Sequence, residues 1–174
     1  EPDGTMDVKE VEAVIQSGEN PHFAPTTLLC LENTHNFSGG KIVPLKTIEA
    51  LEQVVRTHKM RMHLDGARML NACVALDIQP ETMAKSFDSV SICLSKGLGA
   101  PVGSLIAGDA DFIKRCYRFR KMYGGAMRQA GILGAAGRYA LKHHVTRMAE
   151  DHENAQLLAE GLSEIAGIGL PRGL

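Results

Sequence analysis

The stretch MHLDGARMLNACVALDIQPETMAKSFDSVSICLSKGLG, residues 62–99, decides how the chain is organised. MHLD (62–65) is a short apolar run that ends in charge, and Gly66 breaks it. Met69 to Leu76 are helix-prone, Pro80 opens another short helix, and SVSICL (89–94) is apolar again. Strand, helix and strand in that order form a βαβ unit, which predicts two parallel strands side by side.

The alternation continues on both sides. Upstream, TTLLCLE (26–32) is β-branched and apolar and feeds a polar, glycine-bearing loop, NTHNFSGGK (33–41). Leu45, Ile48, Leu51 and Val54/Val55 then mark one face of a helix that ends near His58 and Lys59, where positive charge suits a helix carboxyl end. Asp7 with Glu10 resembles a capping box, and Val8, Val11, Val14 and Ile15 keep helical spacing up to Gly18. Downstream, PVGSLIAG (101–108) suits a strand or half a hairpin, and Asp109 starts a helix expected to turn Phe112, Ile113, Cys116 and Phe119 inward. Two further helices are predicted, from about Met127 to His143 and from Val145 to Ala166. The class is α/β: a mostly parallel sheet, expected to be covered by helices on both faces.

Composition narrows the function classes. Among 174 residues, 19 Lys+Arg stand against 20 Asp+Glu, a formal net charge of −1, which argues against a nucleic-acid partner. Hydrophobic residues make up 44% and charged residues 22%, ordinary usage for a globular protein with a sizeable core. No stretch approaches the roughly 20 apolar residues that a membrane span requires, and the opening EPDGTMDVKE is acidic rather than signal-like. Cys30, Cys73, Cys93 and Cys116 form no CxxC pair, so reduced thiols in a cytosolic compartment are expected. The chain begins at Glu1 without a methionine and closes in GLPRGL just after a helical pattern. Residues 1–174 are therefore expected to form one partial domain of a longer protein.

In open α/β sheets, ligands sit beyond the carboxyl ends of the strands, so the residues that follow each apolar run carry most information. Two runs end in charge. Asp65 leaves its strand in HLDGAR (63–68), where Gly66 is expected to let the backbone turn sharply. Lys96 leaves the next strand in SICLSKGLGAPVGS (91–104), beside Gly97, Gly99 and Gly103. Partial desolvation by apolar chain and glycine backbone is expected to favour the neutral, nucleophilic amine that makes Schiff bases. A Schiff-base lysine with a carboxylate placed on a pyridinium nitrogen is the arrangement that pyridoxal phosphate needs. Asn33, Thr34 and His35, at the end of the first strand, suit either the same pocket or a turn.

ENTHN (32–36), HLDGAR (63–68), SKGLGAPVGS (95–104) and GGAMRQAG (124–131) together resemble the low-specificity L-threonine aldolases. The resemblance runs from about Asp7 to Gly161 and implies part of the large domain of a fold-type I pyridoxal 5'-phosphate enzyme. It also implies a cytosolic homo-oligomer acting in threonine catabolism and glycine formation. The implied substrate is a small β-hydroxy-α-amino acid, L-threonine or L-allo-threonine, cleaved to glycine and acetaldehyde. By motif, Lys96 matches the lysine that carries the cofactor and Asp65 the partner of its pyridinium nitrogen. Arg68 matches an arginine near the cofactor's phenolic oxygen and the substrate carboxylate. His22, in HFAPTTLLCLENTH (22–35), is similar to a histidine on the hydroxyl side of the substrate, where it could relay a proton. Lys121 and Arg128 resemble basic residues near the cofactor that reach a neighbouring subunit's site. Family members are considerably longer, and the phosphate cup, the ring-stacking histidine and a second carboxylate-binding arginine lie in segments outside residues 1–174. A non-catalytic remnant that keeps the scaffold is therefore one alternative, and another β-eliminating pyridoxal-phosphate lyase is a second.

Other signals are set aside. SGGK (38–41) lacks both the glycine spacing and the following hydroxyl of a phosphate loop. GLG (97–99) lacks the third glycine of a dinucleotide fingerprint, and Pro101 opposes the helix that should follow. His143 and His144 are adjacent and point to different faces of a helix, so no metal site is expected.

Overall fold

A computed structural model describes residues 4–170; the first three residues and most of the closing GLPRGL lie outside the described residues. Helix α1 (Val8–Ala13) starts where expected, with the Asp7 carboxylate accepting from the backbone N–H groups of Lys9 and Glu10. It stops well short of Gly18. Strand β1 (Leu28–Glu32) leads through the polar loop to α2 (Leu45–Thr57), which buries Ile48, Leu51, Val54 and Val55, the face that the spacing marks. Strand β2 (Arg61–Asp65), helices α3 (Met69–Leu76) and α4 (Pro80–Ala84), and strand β3 (Ser89–Cys93) follow. Next come β4 (Ser104–Gly108), α5 (Ala110–Met122), α6 (Gly131–His143) and α7 (Met148–Ser163).

The sheet has the order β1-β2-β3-β4, with β1, β2 and β3 parallel and β4 antiparallel to β3. PVGSLIAG is thus the second half of a hairpin. Register partners share a face, which divides the strands cleanly. Leu29 and Leu31 pair with Met62 and Leu64, and Leu64 pairs with Val90. Leu31, Met62, Leu64 and Val90 are buried in one cluster with Ile48, Leu51 and Val55 of α2, Leu70 and Cys73 of α3, and Met83 of α4. Burying each such side chain is worth about 1.5–3 kcal/mol.

The opposite face carries Leu28, Cys30, Arg61, His63, Asp65, Ser89, Ser91 and Ile106, and here the expectation of two covered faces fails. Leu28 and Ile106 are 49% and 46% exposed, and every residue of β4 is exposed. The inward turn expected of α5 holds only in part: Phe112, Ile113 and Cys116 are half-buried, none is fully buried, and Phe119 is exposed. Phe112 does lie over β4, where a Cβ on Gly108 would sit only 2.6 Å from its ring. The physical reason is common to both corrections. The α5 pattern is amphipathic, but within the described residues no further layer closes over the helix or the sheet face beside it. Helix α6 also begins later than predicted, because Gln129 adopts a positive φ and interrupts the helical run.

The amino ends of β2 and β3 are locked by Asp88. Its carboxylate accepts from Met62 N (2.8 Å), Arg56 (2.8 Å) and Arg61 (3.1 Å). Burial pushes this carboxyl up, but the Arg56, Met62 and Arg61 hydrogen bonds outweigh it and hold the group below the usual carboxylate range.

Candidate active site

The three parallel strands end side by side, with Glu32 in register with Asp65 and Asp65 in register with Ser91. Asn33 N donates to the Asp65 carbonyl (3.1 Å), which ties the first two exits together. Asp65 projects from the open face; its side chain is exposed and accepts from Ala67 N at 3.1 Å. The carboxylate both shapes the turn and faces outward. Gly66 serves a different purpose from the one expected. Its φ is not positive; instead a Cβ here would lie 2.8 Å from the Ser91 carbonyl oxygen, so glycine allows β3 to approach.

Lys96 lies just past β3 on a tight turn. Gly99 N donates to the Lys96 carbonyl (2.8 Å) and Ala100 N to the Leu94 carbonyl (2.9 Å), with Gly99 at φ +69°. Leu94, Leu98 and Ala100 are buried, while Lys96 itself is exposed and its amine has no hydrogen bond or ion pair among the described residues. The desolvation expected around this amine is absent, because the apolar side chains of the turn point into the core and the sheet face beside them is open.

Arg68, half-buried at the start of α3, shares a small cleft with Asn71, Cys93, Gly97, Leu98 and Met148. It is therefore brought next to the turn that carries Lys96. His22 is placed elsewhere: it lies in the exposed loop that enters β1 at its amino end, with its N–H donating to the Asn20 side chain. Lys121, in the last turn of α5, and Arg128, in the α5–α6 connection, are both exposed. Nothing within 4 Å would meet a Cβ on Gly124 between them. Asn33 is a scaffold residue: buried, it donates to the Val43 carbonyl and accepts from Val43 N, closing the loop 33–43. His35 caps the same loop through Ser38 (2.9 Å) and its N–H bond to the Lys41 carbonyl.

The residues behind the Lys96 turn were not anticipated. The His144 Nδ1–H donates to the Leu98 carbonyl at 2.6 Å. A Cβ on Gly97 would meet Asn71 and Met148 at 3.2 and 3.3 Å. No local spacing signals such partners, since they come from α3 and from the α6–α7 junction, far along the chain.

An exposed amine, an exposed carboxylate and a guanidinium thus border one strand edge, and this donor set suits pyridoxal phosphate: a lysine to hold it, an acid for its ring nitrogen and a cation for an anionic group. The Beta-eliminating lyase family model matches residues 1–172.

The chain belongs to the beta-eliminating lyase family.

This member of the beta-eliminating lyases is 46% identical over 169 residues to low-specificity L-threonine aldolase 1 of Arabidopsis thaliana, a match covering 97% of the chain and 47% of the relative. It is 49% identical over 162 residues to the low-specificity L-threonine aldolase of Escherichia coli K12, covering 93% of the chain and 47% of that protein. The chain thus spans about half the length of the curated relatives it matches. Among solved structures, the Leishmania major threonine aldolase superposes with a TM-score of 0.79 at 21% identity, over 94% of this chain and 48% of that one. The expected class stands: an α/β, mostly parallel sheet with flanking helices, as in fold-type I pyridoxal-phosphate enzymes. No helix of the described residues is long and apolar enough to cross a membrane.

Proposed function

We propose that the protein to which this chain belongs uses pyridoxal 5'-phosphate to cleave L-threonine or L-allo-threonine into glycine and acetaldehyde. The observation that carries the reading is the shared edge: Asp65 at the end of β2, Lys96 just past the end of β3, and Arg68 in a cleft with Gly97. The names of the curated relatives point to the same substrate class.

When bound, pyridoxal phosphate supplies an electron-accepting ring that makes a bond to the substrate's α-carbon breakable. On this chain, Lys96 would hold the cofactor and Asp65 would keep a proton on its ring nitrogen. Arg68 would clamp the substrate carboxylate, so that the bond from the α-carbon to the β-carbon is the one presented for cleavage. His22, or a water held by it, is the candidate base for the β-hydroxyl proton; it is exposed in the loop that leads into β1. Lys121 and Arg128, equally exposed, suit a different use in a homo-oligomer, neutralising phosphate in a neighbouring subunit's site. The described residues would then be one part of a cofactor-binding domain. Four free cysteines support a cytosolic location.

The test begins with the purified chain, pyridoxal phosphate and borohydride, followed by peptide mapping. Selective labelling at Lys96 supports the reading, and scattered labelling sinks it in favour of a scaffold without the chemistry. In an active preparation, release of acetaldehyde rather than pyruvate or ammonia separates aldol cleavage from β-elimination, the reaction for which the family is named. Lys96→Ala is expected to abolish both labelling and turnover.

A further inference from the structure

The turn that carries Lys96 makes its own bonds through Gly99 N and Ala100 N, which use the Lys96 and Leu94 carbonyls and leave the Leu98 carbonyl for a partner outside the turn. That carbonyl meets the ring of His144, the residue that ends α6. The contact is short, 2.6 Å, and chemically unambiguous: a carbonyl only accepts, so Nδ1 carries the proton. One further contact steadies the ring: Tyr139, one turn earlier on α6, meets it edge-on with centroids 5.5 Å apart. Glycine at 99 answers to the positive φ, +69°, that other residues resist.

We infer that His144 is a positioning residue for Lys96: by holding the Leu98 carbonyl it fixes the turn 94–100 and so sets where the lysine leaves the sheet edge. The significance of that position rests on the function proposed above; the hold itself does not. Leu98 is buried, so its side chain anchors the turn from below while His144 anchors its backbone from the side. Without the imidazole, the carbonyl would be left without its protein donor, and the turn would relax toward water.

The experiment compares the whole chain with His144→Phe, which keeps a ring but no donor, and with His144→Asn, whose amide nitrogen occupies nearly the place of Nδ1. Amide hydrogen exchange is followed at Gly99 and Ala100, with the amides of β2 and β3 as internal controls. Loss of one net hydrogen bond is expected to speed exchange in the turn about tenfold in the Phe variant, with controls unchanged and the Asn variant near wild type. The rate of borohydride-trapped labelling of Lys96 by pyridoxal phosphate should fall several-fold and recover in the same order. Unchanged exchange at Gly99 and Ala100 in the Phe variant, or no recovery with Asn, overturns the inference. Should the Phe variant lose protection in β2 and β3 as well, His144→Ser, smaller than the native ring and too short to reach Leu98, decides in its place. If wild type is never labelled at Lys96 while exchange behaves as expected, the proposed function fails and the hold stands.

Discussion

On one face of the sheet Leu31, Met62, Leu64 and Val90 lie buried under α2, α3 and α4; on the other, Leu28, Cys30, Asp65 and Ile106 from the same strands are exposed. Neighbouring residues on one strand thus live in different solvents. The covered face supplies stability and places the strand ends. The open face carries Asp65 and borders the turn of Lys96, so the proposed chemistry would sit where packing places the fewest demands on residue choice. Apolar residues at positions 28 and 106 add a liability, since exposed strands at sheet edges invite further pairing.

The sharpest way to test this asymmetry is Leu64→Ala. Leu64 is fully buried between Leu31 and Val90, and its truncation should cost about 2–5 kcal/mol in urea denaturation. A loss under about 1 kcal/mol would mean that the covered face is not the core. Thiol chemistry gives a second contrast. Cys73, on the covered side, is pushed up to about 11 by burial, with Glu81 adding to the shift, whereas Cys30 is exposed on the open face. Because the thiolate is the reactive form, a maleimide at neutral pH should modify Cys30 on the folded chain and Cys73 only after unfolding. Equal rates would show that the two faces are equally open.

Asp88 provides a comparison in pH. Its folded-state value lies below the ordinary one, so its contribution is fully present above the unfolded value near 4 and is lost as pH falls through the folded value. Asp88→Asn should therefore cost about 1–3 kcal/mol at pH 7, and the gap to wild type should close below about pH 4. A gap that stays constant down to acid pH would remove the carboxylate from the account. The smallest effect is expected on the open face, where Ile106→Ser should change stability by no more than about 0.5 kcal/mol while lowering aggregation by light scattering. A loss comparable to that of Leu64→Ala would show that Ile106 is buried in solution.

Much of the fold was legible because it is local. The helix face of α2, the Asp7 cap and the alternation of strands with helices each depend on spacing within a dozen residues. The edge pair Asp65 and Lys96 was legible for the same reason, since each directly follows an apolar run. What could not be read depends on distant chain. Whether Phe119 is buried depends on what lies over α5, not on its periodicity. Gly66 looked like a turn residue, yet it answers to the Ser91 carbonyl arriving from the next strand. His144 looked like half of a surface pair, and only the fold brings it to Leu98. Asp88, between Phe87 and Ser89, gave no signal at all, because both arginines that bind it come from other elements.

The reversed direction of β4 has a consequence in polymer terms. After β1 the chain leaves the candidate edge into a long loop, and after β2 into a helix, with no early obligation to return. After β3 it must come back at once, because Cys93 is in register with Ser104 at that same edge. Lys96 is therefore carried on a small closed ring of backbone, zipped at its neck. A ring has far fewer accessible shapes than a tail of the same length, so the lysine sits on a segment whose freedom was surrendered when the hairpin formed. Any movement of the amine that exceeds its own side-chain reach has to be shared by both legs of the ring.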